Sequence, residues 1–398
     1  MRRQAPLVPL DVPLGARFGF RSRAVALSAL LLATGCASDV TSQEQRSPQL
    51  TQSTFDGKLW VPDGFSVREY ARVSGVRMMA LGPDGAVYAS RPRDGEVVRL
   101  VDADRDGVAE SQVVVVRDLD RPHGLAFRDG WLYVATTGSV VRLRLDPNAN
   151  MAPLGRPETV ATYSAGGGHW TRTVTFGADG AMYVAIGSSC NICEEKSPDR
   201  AAVLRFEDGN PKGRIYSRGL RNAVGMAVYP PTGALWVTQH ERDNLKPDHQ
   251  DLPHEEINIL RDGGDYGWPY CHGDRVPNPE YDDRARCAAT IPPALTMQAH
   301  AAPLGMTFLD RATALPADYR GDALVALHGS WNRDVPTGAK VVRIRITDGQ
   351  PTAVEDFIVG WQDERGRRWG RPVDVMVHAD GAVLVSDDQG GVIYRVAR

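Results

Sequence analysis

Arginine and histidine recur at one position of this chain, just before each copy of a repeated strand. Guanidinium groups pair with carboxylates through two hydrogen bonds, and imidazole accepts protons near neutral pH. A ring of such side chains would bind an anionic ligand and place a base beside it. The residues at this position are Arg77, His123, His169 with Arg172, Arg221 with Asn222, His300 and Arg371.

A second set of polar residues follows the partner strand of several copies, at positions 239–242, 328–333 and 386–388. A single histidine or arginine in a loop is usually structural or solvated. The common register of these residues across the repeats is what favours a shared site.

The repeat itself is a short apolar strand, a turn with glycine, and an aromatic or aliphatic strand. Its clearest copies are residues 125–134, 174–184 and 375–385. The spacing predicts an all-β protein, a six-bladed β-propeller with four-stranded antiparallel blades. A β-sandwich would not explain the repetition. In a propeller the turns within the repeats lie on one face, and both sets of polar residues surround the channel on the other.

The first 36 residues are expected to be a lipoprotein-type signal peptide. A basic stretch precedes an apolar run at 24–33, which is too short to span a bilayer. The run ends in Ala-Thr-Gly-Cys, which resembles a bacterial lipoprotein processing box and would leave Cys36 lipidated; ordinary cleavage nearby would discard Cys36. Residues 37–55 are expected to form a flexible tether and residues 56–398 the propeller. The protein would then be exported to the periplasm and touch the membrane only through its lipid.

Charge and cysteine content narrow the class further. The net charge is −3 with no basic stripe, which argues against binding nucleic acid. Export places the other four cysteines in an oxidising compartment, where Cys190–Cys193 and Cys271–Cys287 are the simplest of three pairings. The Cys-x-x-Cys segment could instead be redox-active or bind a metal.

One acidic segment is a separate metal candidate. Asp102, Asp104 and Asp106, with Gly107 and Glu110, have the alternating carboxylates and turn glycine of a calcium loop. The full twelve-residue spacing is missing. The segment is therefore either a structural calcium site or a solvated turn.

Four segments resemble the glucose/sorbosone dehydrogenase family, whose members are pyrroloquinoline quinone (PQQ) enzymes on six-bladed propellers. They are Gly-Gly-Gly-His-Trp-Thr-Arg at 166–172, Ser-Arg-Gly-Leu-Arg-Asn at 217–222, Glu-Glu-Ile-Asn-Ile at 255–259 followed by Gly-Gly-Asp-Tyr-Gly-Trp-Pro at 263–269, and Arg-Pro-Val-Asp at 371–374. The resemblance runs from about residue 65 to the C-terminus. It is closer to the sorbosone dehydrogenase side, given His-Gly-Ser-Trp-Asn-Arg at 328–333 and Cys-Asn-Ile-Cys at 190–193.

The resemblance implies oxidation of a sugar or sugar aldehyde by hydride transfer to PQQ. His169 would be the general base, and Asp387 would be an acid that orients or tunes the site. Electrons would leave to an external acceptor, a cytochrome or quinone. The cofactor would be held by Arg172, Arg221, Asn222, Arg333 and Arg371, and its Ca²⁺ by the backbone carbonyls of Glu241 and Arg242.

The chain departs from the family pattern at three points. Glu241-Arg242 replaces Gly-Pro, Val373 replaces the second arginine of Arg-x-Arg-Asp, and residues 331–333 stand where glucose-type members have a lysine. These changes favour a second hypothesis, a propeller that binds carbohydrate or an exported protein without redox chemistry. A hydrolytic propeller fits less well, because its calcium-centred site needs several acidic and amide residues on the rim.

Overall fold

Six antiparallel sheets of four strands, one of them extended by a short parallel fifth strand, form the body of the protein, in a computed structural model that describes residues 49–53 and 55–398. The first strands of successive sheets lie beside one another in a closed ring. The predicted six-bladed β-propeller is therefore confirmed. No helix within the described residues is long and apolar enough to cross a membrane.

The described residues begin with a two-stranded sheet, followed by a strand that joins the last blade. These are β1 (Leu50–Gln52), β2 (Trp60–Pro62) and β3 (Ser66–Arg72). Blade 1 follows with β4 (Met79–Leu81), β5 (Val87–Arg91), β6 (Glu96–Val101) and β7 (Ser111–Val116). Blade 2 has β8 (Leu125–Arg128), β9 (Trp131–Ala135), β10 (Ser139–Asp146), a 3₁₀ turn (Pro147–Ala149) and β11 (Ala152–Thr162).

Blade 3 consists of β12 (Arg172–Phe176), β13 (Met182–Ile186), β14 (Ala202–Phe206) and β15 (Arg214–Arg218). Blade 4 begins with β16 (Ala223–Val228), β17 (Leu235–Gln239) and β18 (Glu255–Ile259). An insertion precedes its fourth strand and contains β19 (Gly264–Asp265), β20 (Cys271–His272), β21 (Val276–Pro277) and the helix α1 (Arg284–Ala288). The fourth strand is β22 (Leu295–Met297).

Blade 5 contains β23 (Pro303–Phe308), a 3₁₀ turn (Ala317–Tyr319), β24 (Ala323–Leu327), β25 (Lys340–Thr347) and β26 (Gln350–Ile358). Blade 6 contains β27 (Pro372–Val377), β28 (Val383–Asp387) and β29 (Val392–Ala397), and it is completed by β3. The register pairs Val396 with Val67, so strands from the two ends of the propeller close the ring.

Burial along the strands follows their place in the blade. The second strands β13, β24 and β28 are buried at every residue, because each packs between two neighbouring blades. Such strands appear as continuous apolar runs rather than as an alternation. The outermost strand β11 is mostly exposed, as expected where only one edge is covered.

The turns between first and second strands carry the glycines of the repeat. Gly180 and Gly381 have φ of 79° and 82°, a conformation that favours glycine. These turns lie on one face of the propeller, since each first strand runs from the opposite face towards them. The residues that precede each first strand therefore share the other face, which we call the rim.

The insertion of blade 4 returns to the rim along the outer edge of blade 3. Gly264 of β19 pairs in parallel with Ser217 of β15, and Trp268 then donates its indole N–H to the main-chain oxygen of Asn191 at 3.2 Å. Two disulfides, Cys271–Cys287 and Cys190–Cys193, lie in the insertion and in the loop that it contacts. The simplest predicted pairing is thus confirmed.

The expected tether is shorter than the sequence suggested. Residues 50–52 form β1, paired with β2, and the ring of Phe55 lies edge-on against Tyr394 at 5.1 Å. Burial of this aromatic side chain offsets the entropy of ordering a polar segment. The predicted signal peptide and Cys36 lie outside the described residues.

Candidate active site

Three blades meet on the rim through one carboxylate. Asp388 accepts a hydrogen bond from Nη1 of Arg77 at 2.7 Å and lies 3.0 Å from Nε2 of His328. Arg371 donates to the main-chain oxygens of His328 at 2.9 Å and Gly329 at 3.0 Å. The structure thus brings together residues that are far apart in sequence, as the common register predicted.

His169 is held by a contact that fixes its tautomer. Its Nδ1 lies 3.0 Å from the main-chain oxygen of Ser188 and 2.9 Å from the Ser188 hydroxyl, which itself donates to the oxygen of Cys190. A carbonyl oxygen only accepts, so Nδ1 must carry the proton. Nε2 is then the nitrogen left with a free lone pair.

The imidazole of His169 is neutral over a wide pH range. Burial, and next the positive charge of Arg221, lower its pKa to about 3. A low pKa keeps the ring unprotonated and ready to accept a proton, although it also makes the ring a weak base.

Asn222 and His240 pack beside His169. A Cβ on Gly187 would come within 2.4 Å of Asn222 Oδ1 and 2.6 Å of His169 Cβ, so glycine is needed for this close approach. Nε2 of His240 donates to the oxygen of Pro303 at 2.5 Å, which leaves Nδ1 to face the amide nitrogen of Asn222 at 3.5 Å. The buried Oδ1 of Asn222 has no hydrogen-bond partner among the described residues. This atom lies against the Gly187 backbone.

Arg221 anchors the loops above β16 and supplies charge to the site. Its guanidinium donates to the main-chain oxygen and side-chain oxygen of Asn191 at 3.0 and 2.8 Å, and to the oxygen of Glu241 at 2.7 Å. Asp243 lies 3.7 Å away. Burial lowers the pKa of Arg221, yet the group remains cationic and acts on His169.

Arg172 lies beneath His169 rather than facing a ligand. Its guanidinium donates to the main-chain oxygens of His169 and Thr171, both at 2.8 Å, and its side chain is buried. These contacts hold the His169 segment in place. Binding of the cofactor by Arg172 stays a prediction. In this structure the side chain positions the segment that carries His169.

The adjacent aspartates at the end of β28 face different surroundings. Asp387 accepts from the main-chain N–H groups of Arg371, Gln389 and Gly390 at 2.7 to 3.0 Å, and from the Tyr394 hydroxyl at 3.1 Å. These described contacts all lie within blade 6 and the turn before it. The residue expected to tune the site therefore orders the loop of Arg371, and Asp388 is the carboxylate that faces the rim.

Arg333 joins two loops of the rim face. It donates to the oxygens of Val335 and Ala299 at 3.1 and 3.4 Å and pairs with Asp251 at 3.0 Å. None of its described contacts is to His169, Asn222 or Arg371. Its expected cofactor contact is not among the interactions of this structure and stays a prediction.

The segment predicted to hold calcium lies above buried glutamates. Glu255 accepts from the main-chain N–H groups of Glu241 and Ala302 at 2.8 and 2.9 Å, and burial raises its pKa to about 8. The side chain of Arg242 pairs with Glu280 at 2.5 Å. Backbone oxygens near carboxylates suit a hard cation. The positively charged guanidinium of Arg221 donates to the Glu241 oxygen and would repel a cation there, so the fit to Ca²⁺ is partial.

The acidic segment of blade 1 forms a cluster on the other face. Carboxylate oxygens of Asp102, Asp104, Asp106 and Glu110 all lie within 4.8 Å of one another. The segment joins β6 to β7 and lies with the glycine turns, away from the rim. Calcium binding there stays a prediction.

The floor beneath the rim is apolar. Met78, Val224, Leu304 and Val373, from four blades, form one buried cluster at the start of the first strands. Val373 stands where the resemblance led us to expect a second arginine, and it is completely buried here. A flat, anionic ligand on this floor would contact apolar atoms below and cations at its edge.

Three residues of the site were present in the sequence segments but received no role there. They are His240, His328 and Asp388, each at or just after the end of a second strand. Asp388 lies in the turn just after β28, where strand alternation no longer decides which of the two adjacent aspartates faces the rim. For His240 and His328, the sequence signal was their position at or just after the end of a second strand.

Comparison with known proteins identifies the family. A model of the TrAA12-like family matches residues 60–398. The chain belongs to the TrAA12-like family. The match spans almost all of the described propeller and includes every rim residue.

This TrAA12-like chain is 27% identical over 366 residues to the pyrroloquinoline quinone-dependent pyranose dehydrogenase of Coprinopsis cinerea, covering 74% of this chain and 48% of that protein. The chain spans about half the length of the curated relatives it matches.

Two solved structures share the fold. The iodide structure of the Trichoderma reesei family AA12 protein has a TM-score of 0.75 at 22% identity, covering 88% of this chain and 98% of that one. The holo form of the Coprinopsis cinerea pyranose dehydrogenase PQQ domain has a TM-score of 0.72 at 23% identity, covering 88% of this chain and 98% of that one. The predicted propeller family is confirmed, and the closer likeness to sorbosone dehydrogenases stays a prediction.

Proposed function

We propose that this TrAA12-like protein is a PQQ-dependent sugar dehydrogenase in which His169 is the general base. The observation that carries the proposal is the fixed tautomer of His169, whose Nδ1 faces the Ser188 oxygen at 3.0 Å. Nε2 is thereby the proton acceptor for a substrate hydroxyl. The named activity of the Coprinopsis cinerea relative supports the same reaction class.

Bound PQQ supplies a quinone that accepts a hydride from the substrate carbon. The residues around the cofactor bind it and orient it. Arg371, with Arg77 and His328, offers positive charge and N–H groups on one side of the rim, and Asn222 offers an amide on the other. The apolar floor excludes water below, which strengthens each charged contact. Ca²⁺ at the carbonyls of Glu241 and Arg242 would add a Lewis acid.

The negative charge of bound PQQ would also raise the pKa of His169. PQQ is a tricarboxylate, and negative charge near an imidazole raises its pKa. Because burial and Arg221 hold the pKa of His169 at about 3, binding an anion would bring it closer to neutrality. The base would then be strongest when the cofactor is in place.

The substrate class, the cellular location and the electron acceptor are further parts of the proposal. An aldose is the substrate that the relatives favour, with sorbosone or another sugar aldehyde as the finer expectation. We retain from the sequence the export to the periplasm, a lipid anchor at Cys36, and electron transfer to an external cytochrome or quinone.

Reconstitution tests the proposal. The protein is incubated with PQQ and Ca²⁺, PQQ binding is measured by calorimetry and absorbance, and dye-linked oxidation is screened with aldoses and sorbosone. His169→Ala should lower kcat by about 100-fold or more while PQQ still binds. His254→Ala, at an exposed histidine, is the matched control.

Two results would contradict the proposal. Failure of the wild-type protein to bind PQQ at micromolar concentration would remove the reaction class and favour the binding-module hypothesis. Full activity in the His169→Ala variant would remove His169 from the mechanism but leave the reaction class intact.

A further inference from the structure

Trp331 is the most exposed large apolar side chain of the described residues. Its exposed fraction is 75%, whereas its neighbour Ser330 is 3% exposed. Leaving an indole in water loses the favourable burial that so large an apolar surface normally gains. An exposed indole of this kind is a candidate contact for a ligand or a partner.

The loop that carries Trp331 is firmly held. Ser330 and Thr337 bridge its base, since the Ser330 N–H donates to the Thr337 oxygen and the Thr337 N–H to the Ser330 hydroxyl, both at 2.9 Å. Arg368 donates to the Ser330 oxygen at 2.5 Å. Trp331 is therefore presented on a fixed support, which lowers the entropy cost of binding a ligand.

The same loop borders the candidate active site on both sides of Trp331. Three residues earlier, His328 pairs with Asp388 at 3.0 Å. The next residue, Asn332, donates to Asp243 at 3.0 Å, and Asp243 lies 3.6 Å from Nδ1 of His300. The segment that carries the indole is thus anchored between two groups of site residues.

We infer that Trp331 is a stacking platform for the sugar ring, and so a residue that determines substrate affinity and specificity. The inference rests on the proposed function. The C–H bonds on one face of a pyranose carry small positive charges and pack against the negative face of an aromatic ring. Its hydroxyls would remain free for His169 and the polar rim. An aldopyranose with an unbroken apolar face would bind better than one with an axial hydroxyl there.

The test compares three variants after loading with PQQ and Ca²⁺. Trp331→Ala should raise the KM for the best aldose by about tenfold with kcat within about twofold. Trp331→Phe keeps an aromatic ring and should recover part of the affinity. Val335→Ala is the matched control, because Val335 lies in the same loop and is 73% exposed. Its KM should equal that of the wild-type protein.

Three further measurements separate the explanations. PQQ affinity should be unchanged in Trp331→Ala, so that a failure of cofactor binding in the wild type counts against the proposed function alone. Calorimetric titration of the aldose into the variants loaded with chemically reduced PQQ gives affinity independently of turnover, because the reduced cofactor accepts no hydride. Thermal melting checks that the variants fold, and Trp331→Phe serves if the alanine variant does not.

An unchanged KM and an unchanged aldose affinity in Trp331→Ala would overturn the inference. So would a variant that is slowed only with a protein electron acceptor, since that result makes Trp331 a docking residue for the acceptor. A larger loss for aldoses with a continuous apolar face than for their epimers would support the stacking platform.

Discussion

The guanidinium of Arg172 donates a hydrogen bond to the main-chain oxygen of His169 at 2.8 Å, from a fully buried position. The arginine therefore fixes the backbone that carries His169, the proposed general base. The positive charge of Arg172 lowers the pKa of His169 less than the positive charge of Arg221 does.

Replacing Arg172 separates positioning from cofactor binding. Arg172→Lys keeps the charge but cannot donate to several carbonyls with a fixed fork, so the His169 segment should loosen. We expect kcat to fall by about tenfold and PQQ affinity to change little. Steady-state kinetics and PQQ titration measure the two effects. A large loss of PQQ affinity with normal kcat would instead make Arg172 a cofactor ligand.

The ionisation of His169 gives a prediction about pH. In protein without cofactor, its imidazole should remain neutral at pH 5, because burial and Arg221 lower its pKa to about 3. Arg221→Met removes the positive charge and should raise that pKa, and a bound tricarboxylate should raise it further. NMR titration of labelled histidine reports each value. On the acid side, activity should decline as pH falls through the pKa of the loaded protein. A protonated His169 at pH 5 in the empty site would contradict this picture.

The adjacent Asp387 and Asp388, at the end of β28 and just after it, should behave differently when changed to asparagine. Asp387→Asn loses acceptors for buried N–H groups, so the free energy of unfolding should fall by about 1 to 3 kcal/mol. Asp388→Asn breaks the pairs with Arg77 and His328, and it should reduce activity with a smaller loss of stability. Chemical denaturation and steady-state kinetics distinguish them. Equal effects on stability would show that both carboxylates are structural.

The Cys271–Cys287 disulfide should stabilise the insertion that reaches the rim. It joins residues 16 positions apart, and closing such a loop contributes about 3 kcal/mol in chain-entropy estimates. The double variant Cys271→Ser/Cys287→Ser should show faster hydrogen exchange at residues 266–290. Because Arg242 pairs with Glu280 in this insertion, Ca²⁺ affinity should fall as well. Unchanged exchange would mean that packing alone holds the insertion.

The propeller and the place of its site could be predicted because they depend on repetition. Each copy puts an apolar strand in the ring and a polar residue before it, so register places Arg77 and Asp388 on the same rim without showing that they pair. The fine assignments could not be made in this way. Asp387 and Asp388 are both acidic and adjacent, and only the direction of the strand end separates them. Likewise, no pattern shows that Arg221 donates to the Glu241 oxygen expected to bind calcium, since that contact joins the loop before β16 to the loop after β17. Phe55 was assigned to a tether because its partner Tyr394 is distant in sequence.

The apolar floor has a consequence for the order of events. Met78, Val224, Leu304 and Val373 form a buried cluster where the first strands begin, so in the proposed reaction sugar, product and electron acceptor would share the opening on the rim side. The sugar half-reaction would then finish, and its product leave, before an acceptor approaches. Double-reciprocal plots at several acceptor concentrations should therefore be parallel, and excess aldose should slow reoxidation by occupying the opening ahead of the acceptor. Intersecting lines would point to a second route for electrons through the protein.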